Sequence, residues 1–175
     1  MSLKEELARE MEDTRRDFHH LLESVPEALY NHPSDNPAWT VGDVLYHITL
    51  GPPALLFEMW MIRRTGWLYQ ALLNDLTSSI FNRVNALFAR RSKRITRHSL
   101  IRAYEAGHAG MMSSLKRIRE DELKKSIIYP KSFIAELAGE VSIERIYRYV
   151  REHFEIHSEQ ILKALKENNG QTGAD

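Results

Sequence analysis

The sequence contains no cysteine. That removes disulfide bridges, thiolate metal ligands and a cysteine nucleophile together, and it leaves histidine and carboxylate as the side chains able to hold a metal. There is no net charge either: 24 Lys and Arg residues face 24 Asp and Glu residues. Nothing in that balance recruits a polyanion, so neither nucleic acid nor an anionic membrane surface is expected as a partner. No apolar run approaches the ~18 residues that a membrane span requires. The opening residues, Met1-Ser2-Leu3-Lys4-Glu5-Glu6, are charged from the start and lack the apolar stretch of a signal peptide, so the expected compartment is the cytoplasm. Repeats, low-complexity tracts and a glycine-rich phosphate loop are absent.

What is present is helical periodicity. A chain of 175 residues suffices for one sizeable domain, expected over 1–170 with a short disordered tail at 171–175. Ser2-Leu3-Lys4-Glu5 has the form of a capping box, and Leu3, Leu7, Met11, Phe18, Leu21, Leu22, Val25 and Leu29 then keep helical spacing up to a shortening or kink at Pro26. Residues 31–38 have loop composition. Thr40-Val41-Gly42-Asp43 is a second capping box, opening a helix that contains Val44, Leu45, His47, Ile48 and Leu50. Gly51-Pro52-Pro53 should kink or break it, because prolines at 52 and 53 cannot donate to the carbonyls of Ile48 and Thr49. Residues 55–62 resume the helix. Apolar spacing from Gly66 to Arg94 suggests an extra helical segment, ending in the basic run Arg90, Arg91, Lys93, Arg94, which is read as a solvated helix end. A further helix is expected over about 99–121. Residues 127–139, with Ile127-Ile128-Tyr129-Pro130, read as a long connection in preference to a sheet. A final helix, capped by Ser142, is expected to stop at Asn168-Asn169-Gly170. The architecture that follows is all-α: a four-helix bundle with an extra helical segment between helices two and three.

The chemistry concentrates in the final helix. Its apolar stripe, Ile143, Ile146, Tyr147, Val150, Phe154, Ile161 and Leu165, contains His153 and His157. A four-residue step turns a helix by only about 40° and climbs roughly 6 Å, so both imidazoles can point at one atom. A firmly held metal with an open coordination position needs a third ligand. His47, in the apolar second helix, is the leading candidate. His32 and His98 have loop or polar surroundings, and the adjacent His19 and His20 point about 100° apart. Imidazoles suit zinc, nickel, iron or copper in preference to calcium or magnesium. Gln160, one turn beyond His157, and Tyr149, one turn before His153, are candidates to orient ligands or substrate, and His108, between Tyr104 and Met112, is another if it faces inward. Phe154 occupies the position where a zinc protease keeps its glutamate, and Glu155 points about 200° away from His153, so protease chemistry lacks its base. The same histidines can also simply pack and hydrogen-bond in a bundle.

Two stretches, Pro37-Ala38-Trp39-Thr40-Val41-Gly42-Asp43-Val44-Leu45-Tyr46-His47 and His153-Phe154-Glu155-Ile156-His157-Ser158-Glu159-Gln160-Ile161, make the chain resemble the DinB/YfiT-like superfamily. The resemblance covers nearly the whole chain in element order. It implies a four-helix bundle, often homodimeric, with a divalent metal on three histidines matching His47, His153 and His157. Zinc or nickel leads, with iron, manganese and copper open. Members with known activity include transferases and isomerases that use small-molecule thiols, and others are proposed as metal-dependent hydrolases. The expectation for this chain is a metal-dependent enzyme acting on a small molecule, with a low-molecular-weight thiol as cosubstrate or with water. Thiol transfer is preferred to hydrolysis because the sequence shows no positioned carboxylate base for activating water. The alternative is a non-catalytic binding or dimerisation module with a structural or vestigial metal site, which a fourth protein ligand such as His108 or Glu58 would favour.

Overall fold

Helix α1 (Leu3–Ser24) starts at the expected capping box, with the Ser2 hydroxyl accepting from the Glu5 amide at 3.3 Å and the Glu5 carboxylate accepting from the Ser2 amide at 2.7 Å. A computed structural model of the protein describes residues 1–36, 38–73, 95–132 and 134–171, with side chains to 166. Pro26 ends α1 and caps a short 3-10 turn, Glu27–Leu29. The second capping box is also formed: Thr40 and Asp43 exchange hydrogen bonds at the start of α2 (Val41–Leu72).

Helix α2 corrects an expectation. It keeps helical dihedrals through Gly51-Pro52-Pro53 and leaves them only at Thr65 (φ −138°, ψ 32°). Packing explains the tolerance: a Cβ on Gly107 of α3 (Arg97–Arg117) would lie 3.0 Å from both Pro52 Cβ and Pro53 Cδ, so the missing side chain lets the two helices close over the prolines. Tertiary contact here offsets the lost hydrogen bonds. The extra helix expected over 66–94 is helical as far as Leu72, as the end of α2; its remainder from 74, including the basic run, lies outside the described residues.

After α3 come a one-turn helix α4 (Glu120–Leu123) and a feature the periodicity missed. Residues 126–142 do not form a plain connection: β1 (Ser126–Tyr129) pairs antiparallel with β2 (Gly139–Ser142), Ile127 opposite Val141, with Gly139 at φ +100° opening the return strand. Ser142 then caps the last helix, α5 (Ile143–Gln171), accepting from the Arg145 amide at 3.2 Å. Helix α5 continues through the asparagine-glycine stop expected at 168–170; residues 172–175 of the expected tail lie outside the described residues.

Contacts give the helix directions. Glu6 and Glu10 of α1 meet Arg148 of α5, and Asp17 meets Arg151, so α1 and α5 run parallel. Lys4 reaches the carbonyls of Lys116 and Ile118 while Arg15 meets Glu105, so α1 and α3 are antiparallel. Pro52 meets Gly107 and Leu56 meets Gly110, so α2 runs with α3 and against α5. Leu72 and Arg97 therefore lie at opposite ends of a four-helix bundle. Two apolar clusters fill it, one around Leu7, Met11, Leu55, Met59, Ile146 and Tyr147, the other around Phe18, Leu22, Leu45, Tyr104, Phe154 and Ile161. Burying one such side chain contributes roughly 1.5–3 kcal/mol, against about 0–1 for each half-exposed ion pair, so packing sets stability and the ion pairs set register. Among the described residues no helix is long and apolar enough to cross a membrane.

Candidate metal centre

The capping box at Thr40 fixes where α2 begins, and so the angle at which His47, two turns in, faces the interior. The strongly amphipathic α5 presents His153 and His157 towards it from the facing helix. One ligand atom from each of the three histidines lies within 4.8 Å of the other two, and Nε2 of His153 stands 3.1 Å from Nε2 of His47. Ring centroids are 4.9 Å apart for His47 and His153, 4.5 Å for His47 and His157, and 4.6 Å for His153 and His157. Two nitrogens bound to one tetrahedral zinc at 2.0–2.1 Å would be roughly 3.3 Å apart, so the spacing of His47 and His153 fits a shared ion.

The protonation and orientation of the rings fit as well. Burial, reinforced by the neighbouring His157 and His47, pushes the His153 pKa well below its ordinary value; burial also lowers that of His157, against opposing pulls from Gln160 and Glu136. Both are neutral near pH 7, the form that ligates. His157 Nδ1 lies 3.0 Å from Gln160 Oε1, an acceptor that places the proton on Nδ1 and leaves Nε2 for an ion. The Trp39 ring lies 4.9 Å from His47 and Tyr149 6.0 Å from His153, both at steep angles.

One residue of the site escaped the sequence reading. Gly51 was read as an interruption of α2, yet a Cβ there would lie 2.9 Å from His153 Nδ1 and 3.0 Å from Cε1. Its position, one turn after His47 on the same helix, was the available signal.

The three histidines open onto a cavity of about 360 Å³ whose lining includes Trp39, Leu50, Ala54, Glu58, Ile134, Glu136, Tyr149 and Gln160. Gln160 and Tyr149 thus stand at the cavity. His108 does not: it is buried between α1 and α3, with Nε2 3.0 Å from a Glu12 carboxylate oxygen. Glu155 turns outward to Arg151 at 2.6 Å. The lack of a visible carboxylate needs correction, because Glu58 and Glu136 both line the cavity; Glu58 bonds to the Tyr129 hydroxyl and stands outside the ligand cluster. Burial, only partly countered by that hydrogen bond, pushes the Glu58 carboxyl up to about 7. Among the described residues no fourth side chain joins the three.

Fold and site define a four-helix bundle with a three-histidine cluster at the wall of an open cavity. The chain belongs to the DinB superfamily, whose family model matches residues 10–161. Among solved structures it is similar to a histidine-to-alanine mutant of a mycothiol-dependent maleylpyruvate isomerase, with a TM-score of 0.67 and 14% identity over 92% of this chain and 61% of the other. The chain therefore spans about three-fifths of that protein's length, and the likeness is one of fold. No curated protein matches the sequence.

Proposed function

We propose that this protein is a metal-dependent enzyme in which His47, His153 and His157 hold a divalent ion, zinc or nickel first, for reaction of a small molecule with a thiol cosubstrate. The observation that carries this reading is the convergence of three imidazoles from α2 and α5 on an open cavity, with no fourth ligand among the described residues. A coordination sphere closed by His108 or Glu58 would have supported the structural or vestigial alternative; His108 bonds to Glu12 away from the cavity, and Glu58 lines the cavity but lies outside the histidine cluster. When bound, the ion supplies Lewis-acid chemistry at an open position suited to a thiol or to water. Gln160 holds the tautomer of His157, Gly51 leaves room for the His153 ring, and Trp39 packs edge-on against His47. With no cysteine in the sequence, the thiol must come from a cosubstrate, which agrees with the thiol dependence named for the similar isomerase. Hydrolysis is the second reading, favoured by the two carboxylates at the cavity. A homodimer, implied by the resemblance, belongs to the same proposal and is tested by the particle mass in solution.

Elemental analysis of the purified chain beside a His153→Ala, His157→Ala double variant tests the centre. About one zinc or nickel ion per chain, absent from the variant, is the expected result. No ion in either after reconstitution would refute it. Screening thiols and hydrolysable esters with the loaded protein then separates transfer from hydrolysis.

A further inference from the structure

Glu58 follows His47 by eleven residues on α2. That step returns to within about 20° of the same helix face while advancing roughly 16 Å, so the two mark opposite ends of the cavity they both line. The carboxyl is buried, with 5% of the residue exposed. Tyr129 of β1 donates its hydroxyl to Glu58 Oε2, and Tyr69 shares a hydrogen bond with Tyr129 behind it. A buried carboxylate is costly without a cation. No lysine or arginine lines the cavity among the described residues. The neighbouring guanidiniums are paired with other carboxylates: Arg63 with Glu122 at 3.0 and 3.1 Å, and Arg145, which lies 5.9 Å from the Tyr149 ring, with both oxygens of Glu152 at 2.7 Å. The remaining carboxylate of the cavity, Glu136, adds negative charge, while Leu50, Ala54, Leu55, Ile134 and the Tyr149 ring line the space with apolar surface.

We propose that the cavity takes an elongated small molecule whose one end reaches the three histidines and whose other end carries a protonated primary amine that pairs with Glu58. The histidine end rests on the metal-centre reading; the amine end rests on Glu58 and the residues around it, none of them a histidine of the cluster. An anionic group at that end would meet carboxylates with no lysine or arginine among the described lining residues to receive it, whereas an ammonium supplies the charge the carboxyl lacks. The groups around Glu58 are the phenols of Tyr129 on β1, Tyr69 on α2 and Tyr149 on α5, each pushed above the ordinary tyrosine value chiefly by burial and so neutral. Glu58 is thus the group among them that meets a cation with a charge of its own.

The test is calorimetric titration of the full chain at about pH 8, where a primary amine is protonated and Glu58 ionised, with hexylamine and hexanoate as probes. Hexylamine is expected to bind the unaltered protein at least about tenfold more tightly than hexanoate, and Glu58→Gln to lose at least about tenfold of that affinity. His153→Ala should keep hexylamine binding, and Glu58→Gln should keep the zinc content of the parent. Equal binding of the two probes, binding of neither, an unaltered Glu58→Gln, or loss of hexylamine binding in His153→Ala overturns the proposal. The comparison of probes on the parent chain decides the matter even if a variant fails to fold. Absence of zinc from the parent refutes the metal-centre reading alone and leaves the amine end standing.

Discussion

The bundle carries two groups of histidines on its helices, and they are built on opposite plans. Between α2 and α5, His47, His153 and His157 face one another, and burial lowers the pKa of His153 and His157. Between α1 and α3, His19 and His108 each face a carboxylate, Glu105 at 2.6 Å and Glu12 at 3.0 Å, with Arg15 bridging Glu12 and Glu105. Burial alone does not separate the groups, since His108 is as buried as His47, at 8% against 9% exposure. The partner does. An imidazole beside a carboxylate is one side of a hydrogen bond holding two helices in register, while imidazoles turned on one another have converging lone pairs that a metal can use.

The sharpest break in that comparison is single substitution on each side. His153→Ala is expected to abolish metal binding, taking the content from about one ion per chain to near zero, whereas His108→Ala leaves it unchanged; elemental analysis reads both. The carboxylates carry the same contrast into pH. Glu58, with a neutral tyrosine as partner, is raised by burial from 4.5 to about 7, so between those values the folded chain keeps a proton that the unfolded chain has released. Stability therefore falls as pH rises through that window, and in urea titrations the parent should lose up to about 3 kcal/mol across it that Glu58→Gln does not lose. Glu12 has the opposite sign: the hydrogen bond with His108 holds it below its ordinary value, so its contribution is present above that value and lost on acidification.

Smaller effects sharpen the picture. Gly51→Ala drives a methyl against the His153 ring and should weaken metal affinity by about 10- to 100-fold in a chelator competition. Gly107→Ala, which crowds the prolines instead, should cost about 1–3 kcal/mol in stability with metal affinity kept. Gln160→Leu frees the His157 tautomer and should cost about tenfold in affinity in the same assay. Smallest is His108→Ala itself, expected to lower stability by about 1 kcal/mol, because its partner Glu12 is half-exposed.

Much of this was legible in one dimension because it is local. The capping boxes at Ser2 and Thr40, the stripe on α5 and the four-residue step from His153 to His157 depend on neighbours within a turn or two. What escaped depends on residues far away in sequence. Pro52 and Pro53 stay helical because of Gly107, and His108 is claimed by Glu12 rather than by the site. The short strands pair across the connection 130–138, and each is too brief for a period of two to stand out. Glu58 meets the cavity only because α2 remains one helix from His47 onward.

The parallel packing of the first and last helices also bears on how the molecule is made. Arg148 bonds to Glu6 across 142 positions of chain, and His153 meets His47 across 106. Closing such long loops is slow in proportion to the entropy surrendered before any contact rewards it. α1 can pack on α3 earlier, but its ion pairs with Arg148 and Arg151 wait for α5, and the histidine cluster forms in that same event, since two of its three members arrive on that helix. Metal uptake should therefore report the last stage of folding, and a stopped-flow trace of zinc capture during refolding should coincide with the slowest phase of helix docking.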